Sequence, residues 1–205
     1  MSVLHFDKNE LGNLEYSLRR EMLSTNRAGG YMSTTMVCCN TRKYHGLVVC
    51  PRNDEEEENY VLLSSVDETI VQHDQSFNLA IHRFPGVYEP RGHKYIIDFD
   101  YTPTPTITYR VGGVTLKKEL LWIHSRTQLL ISSVRLPCRT MNCRPEWRRQ
   151  ERKSILFDRR DNSSAKTVSK FAGSASSVEQ EKITLWPLAI FISKYPVVSR
   201  SSCAG

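Results

Sequence analysis

The sequence lacks the patterns that would assign it to several common functional classes. None of its six cysteines forms the C-x-x-C spacing that is typical of zinc and redox sites. No G-x-S-x-G elbow, P-loop or dinucleotide-binding fingerprint is present. No pair of histidines has the i, i+4 spacing of a helical metal site, so we expect neither a metal nor a cofactor.

Long apolar runs are also absent. The longest, Leu185 to Ile192, is far shorter than the ~20 residues needed to span a bilayer, and it contains Pro187. Residues 1–7 lack the basic and apolar regions of a signal peptide. We therefore expect a soluble cytoplasmic protein with no membrane partner, in which Cys38 and Cys50 remain reduced, buried thiols.

Positive charge is concentrated in the last third of the chain. Residues 1–135 contain 15 basic and 16 acidic residues, a net charge of −1. Residues 136–205 contain 13 basic and 6 acidic residues, a net charge of +7. The basic clusters of this second segment have no recognised fold and no regular aromatic spacing, so we expect no nucleic-acid partner.

Short β-prone runs separated by Gly and Pro dominate residues 31–135. The clearest pattern is a hairpin over residues 106–118, in which two β-prone arms flank Gly112-Gly113, as a primed turn requires. Strands at about ten-residue spacing predict an all-β fold, an antiparallel β-sandwich. Residues 14–23 are helical by composition, and residues 26–30 predict a turn. Periodicity fades after Leu136, which predicts an incomplete sandwich followed by a poorly structured C-terminal tail.

The segment Asn40-Thr41-Arg42-Lys43-Tyr44-His45-Gly46-Leu47 is unusually polar for the entry to a buried strand. Each of its polar groups would carry a desolvation cost if buried, so each must be hydrogen-bonded, exposed or used. Two interpretations stay open from the residues alone: a polar turn that leads into a strand, or part of a binding site.

Residues 82–93 form a second polar and aromatic cluster, with two prolines and two glycines that predict an ordered, non-regular loop. Rings together with guanidinium and imidazole donors suit sugar recognition, and they equally suit a wet interface between domains. The carboxylates Asp67, Glu68, Asp98 and Asp100 lie in or beside predicted strands. Nothing marks one as an acid and another as a base, so we predict no catalytic residue among them.

Five ordered segments resemble one family. They are Asn26-Arg27-Ala28-Gly29-Gly30-Tyr31, Asn40 to Leu47, Leu62-Leu63-Ser64-Ser65-Val66-Asp67-Glu68-Thr69, His82-Arg83-Phe84-Pro85-Gly86 and Thr108-Tyr109-Arg110-Val111-Gly112-Gly113-Val114. In this order they resemble the N-terminal domain of bacterial and archaeal glycogen debranching enzymes of the amylo-α-1,6-glucosidase type, over about residues 12–135.

The resemblance implies a supersandwich-like β-domain that precedes a helical barrel, with the catalytic carboxylates in the barrel. It implies hydrolysis of α-1,6-glucosidic branch points of glycogen, with glycogen or a branched α-glucan and the barrel as partners. The substrate-binding or barrel-facing set that we infer on this basis is Asn40, Arg42, Tyr44, His45, His82 and Arg83. In this set Arg42 would act as a hydrogen-bond fork, Tyr44 as a stacking surface and His45 as a polar contact or orienting group.

The resemblance and the charge balance both change near residue 136. We therefore expect a truncated debranching-enzyme N-terminal domain in residues 1–135, without the catalytic barrel. Residues 136–205 would form a basic, Ser/Arg-rich tail of frame-shifted, non-native origin. An alternative is a free-standing carbohydrate-binding or structural β-sandwich module without enzymatic activity.

Overall fold

A computed structural model describes residues 4–51, 59–72, 75–124 and 128–136, together with the backbone of residues 151–158 and 166–168. These residues contain two short helices, α1 (Lys8–Leu11) and α2 (Leu14–Leu18). They also contain fifteen strands: β1 (Leu4–Asp7), β2 (Glu21–Thr25), β3 (Tyr31–Thr35), β4 (Gly46–Pro51), β5 (Asn59–Leu63), β6 (Thr69–Gln72), β7 (Gln75–Asn78), β8 (His82–Phe84), β9 (Val87–Glu89), β10 (Ile96–Tyr101), β11 (Pro105–Val111), β12 (Val114–Trp122), β13 (Gln128–Leu136), β14 (Glu151–Asp158) and β15 (Lys166–Val168).

Two antiparallel sheets dominate this architecture. The larger has seven strands in the order β1-β10-β11-β12-β13-β14-β15, and the smaller has four in the order β2-β3-β4-β5. Two further hairpins, β6-β7 and β8-β9, stand apart from these sheets in their hydrogen bonding. The all-β, antiparallel prediction is confirmed.

The apolar faces of the two large sheets share one core. Strand β12 shows why, because its residues alternate between buried and more exposed positions, as a strand with one face on a core must. Its buried row is Val114, Leu116, Lys118, Leu120 and Trp122. The four apolar residues of this row belong to the same cluster as apolar residues of the smaller sheet, which gives the sandwich its single core.

Both predicted turns are present. Gly112 and Gly113 adopt φ of 57° and 82°, the left-handed values of a primed two-residue hairpin turn, and they connect β11 to β12. In the turn between β2 and β3, the Asn26 side chain accepts hydrogen bonds from the backbone N–H groups of Ala28 and Gly30. That turn also places Arg27 at φ 59°.

The predicted helix over residues 14–23 is wrong in its second half. Helix α2 ends at Leu18, and β2 begins at Glu21 and pairs with β3 along its whole length. Helix α2 is capped by Asn13, whose side chain accepts from the backbone N–H of Tyr16. Strand pairing in the sandwich therefore overrides local helical composition in this segment.

Residues 82–93 also differ from the prediction of a non-regular loop. Strands β8 and β9 pair as a hairpin around Gly86, which has φ 78°, and a 3₁₀ turn over Gly92–Tyr95 follows. Glycine at position 86 supplies the left-handed conformation that closes such a short hairpin.

The large sheet continues beyond residue 136, which the sequence pattern did not predict. Strand β14 pairs antiparallel with β13 in register from Gln128 to Arg135, and β15 pairs with β14. The rest of the predicted tail, and the acidic stretch over residues 53–58, lie outside the described residues. No helix in the described part of the chain is long and apolar enough to cross a membrane.

Candidate functional site

Asn40 anchors the loop that connects β3 to β4. Its side-chain amide donates to the backbone oxygen of Ser64 (2.9 Å) and lies 3.0 Å from the Ser64 hydroxyl, and its oxygen accepts from the hydroxyl of Thr34 (2.8 Å). Both ends of the amide are therefore engaged within the protein. Asn40 acts on the site by fixing where the loop leaves the sheet.

His45 is buried at the end of the same loop. Its side chain is 2% exposed, and its Nδ1 accepts a hydrogen bond from the backbone N–H of Thr41 at 3.1 Å. An accepting Nδ1 places the proton of the neutral ring on Nε2. That buried nitrogen faces Oε1 of Glu21 at 3.4 Å and has no hydrogen bond. His45 therefore holds the loop from inside through its ring.

Glu21 connects His45 to Arg42, and sequence reasoning missed it. Its Oε1 lies 2.7 Å from Nε of Arg42, whose side chain is 69% exposed. The pairing holds the guanidinium by one edge, and among the described residues no hydrogen bond engages its terminal nitrogens. A planar fork fixed in this way is ready to donate to hydroxyl or carboxylate oxygens. No local signal revealed Glu21, because it lies in the segment that reads as helical.

Tyr44 presents its ring at the surface of the loop. It is 55% exposed, and the Lys43 ammonium lies 5.7 Å from the ring centroid. Burial and, secondarily, Tyr44 raise the pKa of Tyr31. An exposed ring of this kind is available for stacking.

The hairpin of β8 and β9, which belongs to the polar cluster of residues 82–93, contacts the polar loop of residues 40–47. Arg83 reaches from the hairpin to the backbone oxygen of Thr41 with a long hydrogen bond of 3.5 Å. The neighbouring Phe84 is 52% exposed and packs edge-to-face against His82 at 6.4 Å between centroids. Segments more than forty residues apart in sequence therefore meet.

His82 is held by a carboxylate. Its Nε2 lies 2.8 Å from Oδ2 of Asp67, and this hydrogen bond raises the pKa of His82 above its usual value against the opposing effect of burial. Asp67 follows β5 at the level of the hairpin, so the pair fixes the base of β8. We name the exposed part of this region, made by Arg42, Tyr44, Arg83 and Phe84, the loop–hairpin surface.

The loop–hairpin surface is suited to binding. Its rings and guanidinium groups offer stacking faces and hydrogen-bond donors. The two carboxylates beside it, Glu21 and Asp67, are each bound to a cationic or imidazole partner at less than 3 Å. Glu68, another of the carboxylates considered above, is 2% exposed and paired with Lys118 in the core.

The other two carboxylates, Asp98 and Asp100, lie on the large sheet beside His5. They share one face, as their i, i+2 spacing predicts, and their side chains are about 30% exposed. Burial and the neighbouring Asp100 raise the pKa of Asp98. Both lie on β10, opposite β1, and neither strand contributes a residue to the loop–hairpin surface.

These features define a two-sheet antiparallel domain with an exposed aromatic and cationic surface beside the buried His45. Residues 20–145 match the family described as glycogen debranching enzyme N terminal. The match covers more than half of the chain, and the protein belongs to this family. No curated protein and no solved structure matches the chain.

Proposed function

We propose that this chain forms the non-catalytic N-terminal part of a glycogen debranching enzyme that hydrolyses α-1,6-glucosidic branch points. In this proposal the catalytic carboxylates belong to a helical barrel outside residues 1–205. The family membership supports the assignment to a debranching enzyme. The pairing of each carboxylate near the loop–hairpin surface with a partner supports a binding role for this surface.

The partner that we propose for the loop–hairpin surface is a branched α-glucan. The single observation that carries this proposal is the exposure of two aromatic rings, Tyr44 and Phe84, on the same loop and hairpin that carry the guanidinium groups of Arg42 and Arg83. Glucose units offer C–H faces to rings and hydroxyl groups to donors. Since Glu21 holds one edge of Arg42, the cost of ordering this side chain on binding is reduced.

Co-sedimentation of the full chain with glycogen tests this proposal. We expect the wild type to co-sediment and Tyr44→Ala to bind at least about fivefold more weakly, the equivalent of about 1 kcal/mol. Tyr44→Phe keeps the ring and should retain most of the binding. Leu121→Ala removes an exposed apolar side chain from the large sheet and serves as the matched control, with unchanged binding.

Two results would contradict parts of this proposal. Failure of the wild type to bind glycogen would overturn the glucan as the partner and would favour the catalytic barrel as the occupant of the surface. Release of glucose from an α-1,6-branched dextrin by the purified chain would overturn the non-catalytic assignment.

We also propose that the chain divides into a domain over residues 1–135 and a basic tail over residues 136–205 that arises from a shift of reading frame. In this division β14 and β15 belong to the tail and extend the sheet of the domain, and the family match runs past the boundary to residue 145. The change of net charge from −1 to +7 supports it. Translation of the encoding DNA in the other two frames after codon 135 tests it. A continuation that resembles debranching enzymes supports the shift, and its absence from both frames would overturn it.

A further inference from the structure

Three side chains meet on one face of the large sheet, away from the loop–hairpin surface. Strands β1 and β10 pair antiparallel, so that His5 lies directly opposite Asp100. Asp98 lies two residues before Asp100 and therefore on the same face. On the opposite face of these strands, Phe6 packs edge-to-face against Phe99 with 6.2 Å between centroids. The aromatic pair thus fixes the two strands on the face opposite to the three polar groups.

Their ligand atoms converge. His5 Nδ1 lies 2.9 Å from Oδ1 of Asp100 and 3.2 Å from Oδ1 of Asp98. All three ligand atoms lie within 4.8 Å of one another. Two negative groups at such a distance repel each other unless a positive charge lies between them.

A proton on His5 cannot serve both carboxylates well. Nδ1 carries at most one hydrogen, which must be shared between two oxygens on different residues. A cation placed between the three atoms would instead accept a lone pair from each of them. Bonds of about 2.1 Å from one metal ion put neighbouring ligand atoms roughly 3.0–3.4 Å apart, close to the two measured separations.

We propose that His5, Asp98 and Asp100 bind a first-row divalent transition-metal ion, with water completing its coordination. One imidazole nitrogen with two carboxylate oxygens is a donor set that suits such ions. The side chains are 29–51% exposed, which leaves room for water ligands and for entry of the ion. Asp7 is excluded as a ligand, because its carboxylate caps α1 through the backbone N–H groups of Asn9 and Glu10.

This site differs from the expectation of no metal, and the reason is topological. The histidine is separated from the two carboxylates by more than ninety residues, so no local spacing pattern contains the site. Only the pairing of β1 with β10 brings the three residues together.

Titration of the full chain with Mn²⁺, followed by the electron paramagnetic resonance signal of the free ion, tests the proposal. Mn²⁺ is the probe because carboxylates suit it, whereas the thiols of the chain prefer softer metals. We expect one saturable site in the wild type. Asp98→Asn and Asp100→Asn should each weaken binding at least about tenfold. Mn²⁺ should raise the melting temperature of the wild type but not of these two variants.

Asp67→Asn is the matched control, since it removes a carboxylate from a His–Asp pair outside the proposed site. This variant should bind Mn²⁺ as the wild type does. Far-UV circular dichroism checks that each variant is folded. If one of the Asp variants does not fold, His5→Gln is used in its place. Absence of a saturable site in the wild type would overturn the proposal and leave an ion pair only. Binding that persists unchanged in the folded ligand variants would overturn it as well.

Discussion

The buried pair of Lys118 and Glu68 provides the sharpest test of how this sandwich is held together. Lys118 occupies the core row of β12 between Leu116 and Leu120, where an apolar side chain would be expected. Its ammonium lies 2.9 Å from Oε2 of Glu68, and the two side chains are 3% and 2% exposed. Ser133, on the adjacent strand β13, donates to the other carboxylate oxygen. Glu68 itself precedes β6, so the pair fastens the β5–β6 connection to the large sheet.

The charges of this pair depend on each other. Burial by itself would lower the pKa of Lys118, but the carboxylate of Glu68 and, next, Cys38 raise it above the usual value. Lys118 is thus charged in the core as long as Glu68 compensates it. Glu68→Gln keeps the shape of the side chain and removes the compensation. Breaking a buried pair from one side costs about 3–5 kcal/mol, a large part of the ~5–15 kcal/mol by which domains are stable.

Urea unfolding followed by circular dichroism measures this cost. We expect Glu68→Gln and Lys118→Met each to lose about 3–5 kcal/mol, and the double variant to lose much less than their sum. Glu15→Gln breaks the exposed pair with Arg19 and should change stability by no more than about 0.5 kcal/mol. A loss below about 1 kcal/mol in both single core variants, or additive losses in the double variant, would refute the reasoning.

Three further outcomes are expected. Because its pKa is raised, protonated His82 contributes stability that is fully present below pH ~6.5 and is lost as the pH rises through the pKa of the folded state. Asp67→Asn should therefore lower the free energy of unfolding more near pH ~5.5 than near pH ~8. Equal losses at the two pH values would contradict this. Gly92→Ala places a Cβ 2.1 Å from the backbone of Leu79 and should lower the free energy of unfolding by about 3 kcal/mol or more. Urea unfolding measures this loss, and a stability close to that of the wild type would be inconsistent with this packing. Burial raises the pKa of Cys39 to about 11, which leaves little reactive thiolate at pH ~8. Alkylation at this pH, followed by mass spectrometry, should therefore label Cys39 at least about a hundredfold more slowly in the native than in the unfolded chain. Equal rates would contradict its burial.

Local patterns predicted those parts of the fold whose stabilising contacts are also local. The hairpin over residues 106–118 needed only a glycine pair with left-handed φ between two β-prone arms. The turn at Asn26 needed only a side chain that binds its own backbone. Strand β2 was missed because its pairing with β3 decides its conformation, and propensity alone favoured a helix.

The chemistry of the site was predictable only in part. The polar density of residues 40–47 and 82–93 was visible in the sequence, and the structure brings the two segments together. Their supporting partners were not visible. Glu21 behind Arg42, and Glu68 against Lys118, are long-range pairs, and a lysine that follows another lysine in a strand gives no sign that it points into the core.

The position of β1 at the edge of the large sheet has a consequence for the order in which the protein is made. Strands β2 to β5 pair only with near neighbours along the chain, so their sheet can begin to form early during synthesis. Leu4 can pair with Tyr101 only after that residue has been synthesised, roughly 5–20 s later at ordinary translation rates. Closing a loop of that length also costs about 4 kcal/mol of chain entropy beyond a constant term. The cluster of His5, Asp98 and Asp100 is therefore a property of the finished sheet, and a ribosome that stalls before residue 96 carries a chain in which β1 has no strand to join.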